Sequence, residues 1–146
     1  MAPFQFRLEQ VRQYRKQLEE QAMQALAVAV QARDATLARI DSISLEIENV
    51  RTLLCKPAAL ESARLWLGSQ YETAMKQDLE NARSLLARQE NHVDACRVAL
   101  VEAAKDRELL DRLKEKQAEK HHLQERQKEQ RTNDETATLR YTPAAI

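Results

Sequence analysis

Glycine occurs once in these 146 residues, proline three times and cysteine twice, and only 4% of residues are aromatic. Each scarcity excludes something. One glycine cannot build a phosphate-cradling loop, which needs several backbone positions free of a Cβ. Two cysteines cannot frame a disulfide-rich secreted scaffold, and they fit a reducing compartment. So few rings leave little of the large aromatic surface that a globular core of this length draws on. Charge of one sign is missing too: 23 basic and 23 acidic residues give a formal net charge of zero. That argues against a general nucleic-acid binder, which needs surplus Lys and Arg to neutralise phosphates. Long apolar runs are absent. The longest, Ala25 to Val30, falls far short of the ~20 residues needed to span a bilayer. The opening Met1 to Arg7 has no apolar stretch of a secretory leader. A cytoplasmic location is expected, with no direct membrane insertion and at most a peripheral visit to the membrane through a partner.

What is abundant is equally informative. Charged residues make up 32% of the chain. Ala, Leu, Glu, Gln, Lys and Arg, the strong helix formers, dominate it. That is the composition of long helices or a coiled coil. Pro3, Pro57 and Pro143 lie at the margins and near the middle. A helix-interior proline costs about 3 kcal/mol, so the stretches between them can form two very long helices. The chain reads as a single domain, 1–146, with a helix over 4–55, a tip over 57–68, a helix over 69–135 and a flexible tail over 136–146. Pro57 suits the first turn of a short tip helix and Gly68 its C-terminal stop. Ser69-Gln70-Tyr71-Glu72 then reads as a capping box opening the second long helix.

Apolar residues recur at spacings of three and four in the first half, most clearly at Ile40, Ile43, Ile47, Val50 and Leu54. In the second half Leu79, Leu86, Val93 and Leu100 stand seven apart. Met75, Ala82, Cys96, Ala103 and Leu110 fill the other seam position, with Gln89 as a polar exception. These are heptad seams. Beyond them the seam positions hold Arg107, Lys114, Gln117 and His121, and the apolar pattern stops. Folding back across the tip brings residue 54 near 71 and sets Ile47 against Leu79 and Ile43 against Ala82. Cys55 and Cys96 then lie ~40 Å apart at the helical rise, too far for a disulfide. The expected fold is an all-α, long two-helix antiparallel coiled-coil hairpin. It has a short helical tip and an overhanging C-terminal helix, and it is a monomer on its own.

Chemistry is scarce. Acidic pairs such as Glu19 and Glu20 read as solvated helix-face charges, since two helices offer no enclosed pocket to shift their pKa. His92 and Cys96 share a helix face, but two ligands do not make a zinc site; they read as a seam cysteine and a surface histidine. His121 and His122 are adjacent, point in different directions and read as solvated. No catalytic, cofactor or metal-binding residue is assigned, and the chain does not read as an enzyme.

Two features point to partners. At the terminal end, Phe4, Phe6, Leu8, Val11 and Tyr14 form an apolar cluster opposite the polar stretch 111–121. It is either locally packed or inserted into a partner, because uncovered apolar surface is informative. At the tip, Leu65, Trp66, Leu67 and Tyr71 either plug the hairpin end or serve as an aromatic anchor, a residue class that dominates interface hot spots.

Phe4-x-Phe6-Arg7-Leu8-Glu9-x-Val11, followed by Tyr14-Arg15, resembles the start of FliJ-type flagellar export proteins. Lys114 to Lys128, followed by Asp134-Glu135-x-Ala137, resembles that family's charged C-terminal helix. The resemblance implies an antiparallel coiled coil similar to the central stalk of rotary ATP synthases. Its termini would enter a hexameric export ATPase and promote its activity. It would also contact the transmembrane export gate protein and escort export chaperones. On that reading the ATPase interface comprises Phe4, Phe6, Leu8, Arg12, Arg15 and Lys16, with Lys116, Lys120, Arg126 and Lys128 from the other end. The gate interface comprises Leu65, Trp66 and Tyr71. The stalk of a virulence-type secretion system and a generic coiled-coil adaptor or tether are the alternatives.

Overall fold

The computed structural model describes residues 2–56 and 61–141. Two helices account for most of them: α1 over Glu9–Leu54 and α2 over Ser62–Arg140, 46 and 79 residues long. The described residues contain no strand, and the two helices form an all-α hairpin. The pattern of strong helix formers and apolar spacings of three and four is what drives both.

The helix limits differ from expectation in three places. First, α1 starts at Glu9, not at residue 4. Residues 2–8 form an arm, and the first helical turns close through Glu9 N–H to the Phe6 carbonyl (3.2 Å) and Arg12 N–H to the Leu8 carbonyl (2.8 Å). Phe6 is only 8% exposed. Burying one phenylalanine contributes about 2–3 kcal/mol, enough to offset a few helical hydrogen bonds worth about 1 kcal/mol each.

Second, there is no stop at Gly68. Helix α2 begins at Ser62 and runs through Gly68 and Ser69 unbroken. The expected tip therefore loses its separate identity from residue 62 onward, and its first part, with Pro57 and Leu60, lies outside the described residues. Ser69 is not a cap: its carbonyl accepts the Thr73 hydroxyl at 2.9 Å within the helix. Glu72 instead accepts from Arg51 at 2.7 Å and pairs with Lys76 at 3.3 Å. Gly68 has a packing role. A Cβ there would overlap Leu54 Cδ2 and stand 3.2 Å from Leu54 Cγ. Leu54 thus packs on Gly68, about one helical turn before the Tyr71 that the fold-back register placed beside it. The glycine's weak helix propensity, a cost of about 1 kcal/mol, is accepted for this close approach.

Third, α2 continues to Arg140 and takes in the start of the expected tail. Thr132, Thr136 and Thr138 each donate a hydroxyl hydrogen bond to the carbonyl four residues earlier. Residues 142–146 lie outside the described residues.

The hairpin divides into two compact units, residues 20–101 and residues 1–19 with 102–146. In the first, Ile43, Ile47, Met75 and Ala82 form a buried cluster with Ile40 and Leu79 packed against it. Ala29 and Val93 are buried further along, and Val93 is 1% exposed. Leu86, Cys96 and Leu100 are half-buried. This is the heptad seam read from the sequence. Thr36, a polar residue in it, turns its hydroxyl onto the Ala32 carbonyl at 3.1 Å, which satisfies the group locally. Gln89 Oε1 is buried with no hydrogen-bond partner among the described residues.

Candidate functional site

The second unit is built differently. Its apolar seam ends at Leu110, yet its packing face does not. Arg107, Asp111, Lys114, Ala118, His121 and Glu125 are all half-buried and follow one another at intervals of three and four. The stripe continues in charge and polarity where the sequence reading ended it. Facing it from α1 are Glu9, Arg12, Arg15 and Glu19.

These groups interlock as a ladder. Lys114 donates to Glu9 at 3.0 Å, and Arg12 donates to both Glu9 (3.0 Å) and Asp111 (2.6 Å). Arg107 donates to Asp111 at 2.7 Å and to Glu19. Arg15 reaches Asp106 at 3.2 Å. The electrostatics follow the contacts. The Lys114 ammonium, with Arg12 beside it, holds the Glu9 carboxyl below its ordinary range. Arg12, and then Arg107, do the same for Asp111. Hydrogen bonds to Asp111 and Glu19 raise Arg12 and Arg107 respectively.

A folded-state carboxyl pKa lowered below its unfolded value stabilises the fold above the ordinary carboxyl range, about pH 4. That contribution disappears as pH falls through the lowered value. Acidification from pH 6 to 3 should therefore lower the melting midpoint. Asp111→Asn, which cannot ionise, should melt lower at pH 6 and lose part of the acid dependence. Circular dichroism melts across that range check this, and equal pH slopes for the variant and its parent would contradict it.

Past the ladder, the arm lies along α2. The Phe4 ring sits 5.6 Å from the His121 ring, tilted by 45°. His121 Nε2 lies 3.1 Å from the Ala2 carbonyl, so this nitrogen donates to it. His121 also meets His122 edge-on, with centroids 6.2 Å apart. The expected solvation of both histidines is corrected for His121, which is half-buried under the arm.

The residues picked out from the sequence therefore separate. Phe6 is buried and Phe4 half-buried, so the phenylalanines are covered by the chain itself rather than open. Arg12 and Arg15 are held by Asp111 and Asp106. Leu8, Lys16, Lys116, Lys120, Arg126 and Lys128 are exposed, and Lys128 lies 3.8 Å from Glu125. From residue 126 to 141 every position is exposed. In the other unit, Leu65, Trp66 and Tyr71 are exposed, and the Tyr71 hydroxyl donates to Glu46 at 3.4 Å. Beside them an open cavity of about 530 Å³ is lined by Val50, Leu53, Leu54, Leu67, Gly68 and Tyr71. Asp111 escaped the sequence reading, while Glu19 and His121, read there as solvated, join the ladder and meet the arm. Their signal was present: Asp111 and His121 continue the heptad spacing after the apolar residues give out.

The start of α1 thus meets the 106–114 stretch of α2 in one charged face, and the family model for the flagellar FliJ protein matches residues 4–144. The chain belongs to the FliJ family. FliJ-family membership makes it a component of the flagellar protein-export apparatus, a transport family and not one known for enzymes. No curated protein and no solved structure matches the chain. No helix among the described residues is long and apolar enough to cross a membrane. In this FliJ-family chain His92 Nε2 and Cys96 Sγ stand 3.7 Å apart. The described residues bring no group of three or more His, Cys, Asp or Glu together for a metal.

Proposed function

We propose that this FliJ-family chain is a stalk of the flagellar export apparatus. Its terminal unit binds the hexameric export ATPase and promotes its activity. The exposed Leu65, Trp66 and Tyr71 contact the transmembrane export gate, and the chain escorts export chaperones. It works as a monomer at the cytoplasmic face of the membrane, held there by its partners.

One observation carries the reading. Helix α2 runs on through Arg140 with every position from 126 exposed. A helix with no apolar face is stable only when it bridges solvent or is held by something else. The exposed Lys16, Lys116, Lys120, Arg126 and Lys128 supply charge to steer it there. Membership in a flagellar family favours this reading over a virulence-type stalk.

The test is direct. Purified chain added to the export ATPase of the same cell should bind it and raise its hydrolysis rate. Absence of binding at saturating concentration would sink the proposal and leave the adaptor reading in its place.

A further inference from the structure

We infer that the N-terminal arm, residues 2–8, is an autoinhibitory strap: it lies on α2 through His121 and must lift, joining α1 as helix, before the partner face of the terminal unit is complete. This rests on the proposed ATPase reading and deepens it.

Three observations support a strap over a permanent part of the fold. The arm is held by few groups. Phe6 is buried, Phe4 stacks on His121, and His121 donates to the Ala2 carbonyl. Phe4 and the Ala2 carbonyl thus converge on one side chain, so a single residue latches the end of the arm. The α2 surface around that latch, Lys114, Ala118, His121 and Glu125, is polar or small and offers little apolar grip.

The sequence of the arm is also compatible with helix. Residues 4–8, Phe-Gln-Phe-Arg-Leu, contain neither glycine nor proline, and Pro3 stands where a helix tolerates it. The apolar spacing Phe4, Leu8, Val11 matches one helix face. Helix there would lengthen α1 by more than a turn. It would also bring Phe4 into line with Leu8 and Val11, which are 38% and 42% exposed. The strapped state keeps Phe4 off that stripe; the lifted state completes it. A site that is complete in only a fraction of molecules binds more weakly by that fraction.

His121→Ala tests this, because it removes both latch contacts and leaves Phe4, Leu8 and Val11 intact. Binding to the export ATPase should tighten about three- to tenfold, and the Cα chemical shifts of residues 4–7 should move toward helical values. The opposite lock uses Ala2→Cys with His121→Cys, joined by a short cleavable thiol linker in a Cys55→Ser, Cys96→Ala background. It should weaken binding at least tenfold until the linker is cleaved. Unchanged Cα shifts in His121→Ala, or equal affinities for the locked and cleaved forms, would overturn the strap. If no form binds the ATPase while the shifts still move, the ATPase reading fails and the strap stands as a conformational device.

Discussion

Val93→Asp lowers the unfolding midpoint by about 10 °C or more, while Val98→Asp, five residues on in the same helix, leaves it within about 2 °C. The two changes share helix, chemistry and propensity cost, so their difference isolates burial. Val93 is 1% exposed and Val98 59% exposed. At position 93 the substitution removes an apolar side chain worth about 2 kcal/mol. It also puts a carboxylate into the buried seam, at a cost of several kcal/mol more. A chain of this size shifts by roughly 3 °C for each kcal/mol. Helicity followed by circular dichroism against temperature measures both variants. Equal midpoints would mean that the seam at Val93 contributes nothing to the hairpin.

Reversing Lys116, Lys120 and Arg126 together to Glu should weaken ATPase binding at least tenfold and abolish stimulation, with the melting midpoint within about 2 °C of the parent. All three are exposed, so the fold does not depend on them. Lys116 and Lys120 lie one turn apart on α2, and Arg126 opens the wholly exposed run. Charges of this kind act through steering toward a surface of opposite sign, an effect that falls with salt. The parent's affinity should therefore decline as salt rises, while the reversed variant responds little. Stimulation that survives the reversal would move the contact away from α2, toward Leu8 at the end of the arm and Lys16 on α1.

The seam of the unit spanning 20–101 was legible because apolar residues declare it: Ile43, Ile47, Met75 and Val93 are where the heptads put them. The helix limits were not, and each miss has a physical reason. Gly68 reads as a stop by propensity, but contact with Leu54 gives its missing Cβ a different use. Phe4 to Leu8 read as helix by composition, but burial of Phe6 outweighs the few hydrogen bonds that helix would add. The charged stripe is the largest miss. Arg107 and Asp111 look like solvent-facing residues when hydropathy alone decides, and only their spacing shows that they pack. The resemblance gave Arg12 and Arg15 to a partner, but they are held by Asp111 and Asp106; pairing across the hairpin is invisible until both helices are in place. The family was legible at the two ends, where Phe4-x-Phe6-Arg7-Leu8 and the charged stretch from Lys114 lie.

Trp66 is the single tryptophan of the chain and is already 63% exposed in the folded protein. Melting the helices would change its surroundings little, so its fluorescence is nearly silent to unfolding. Any protein that lands on this face would strip water from the indole at once and shift the emission to the blue. The molecule carries its own optical probe, insensitive to its folding and tuned to being touched.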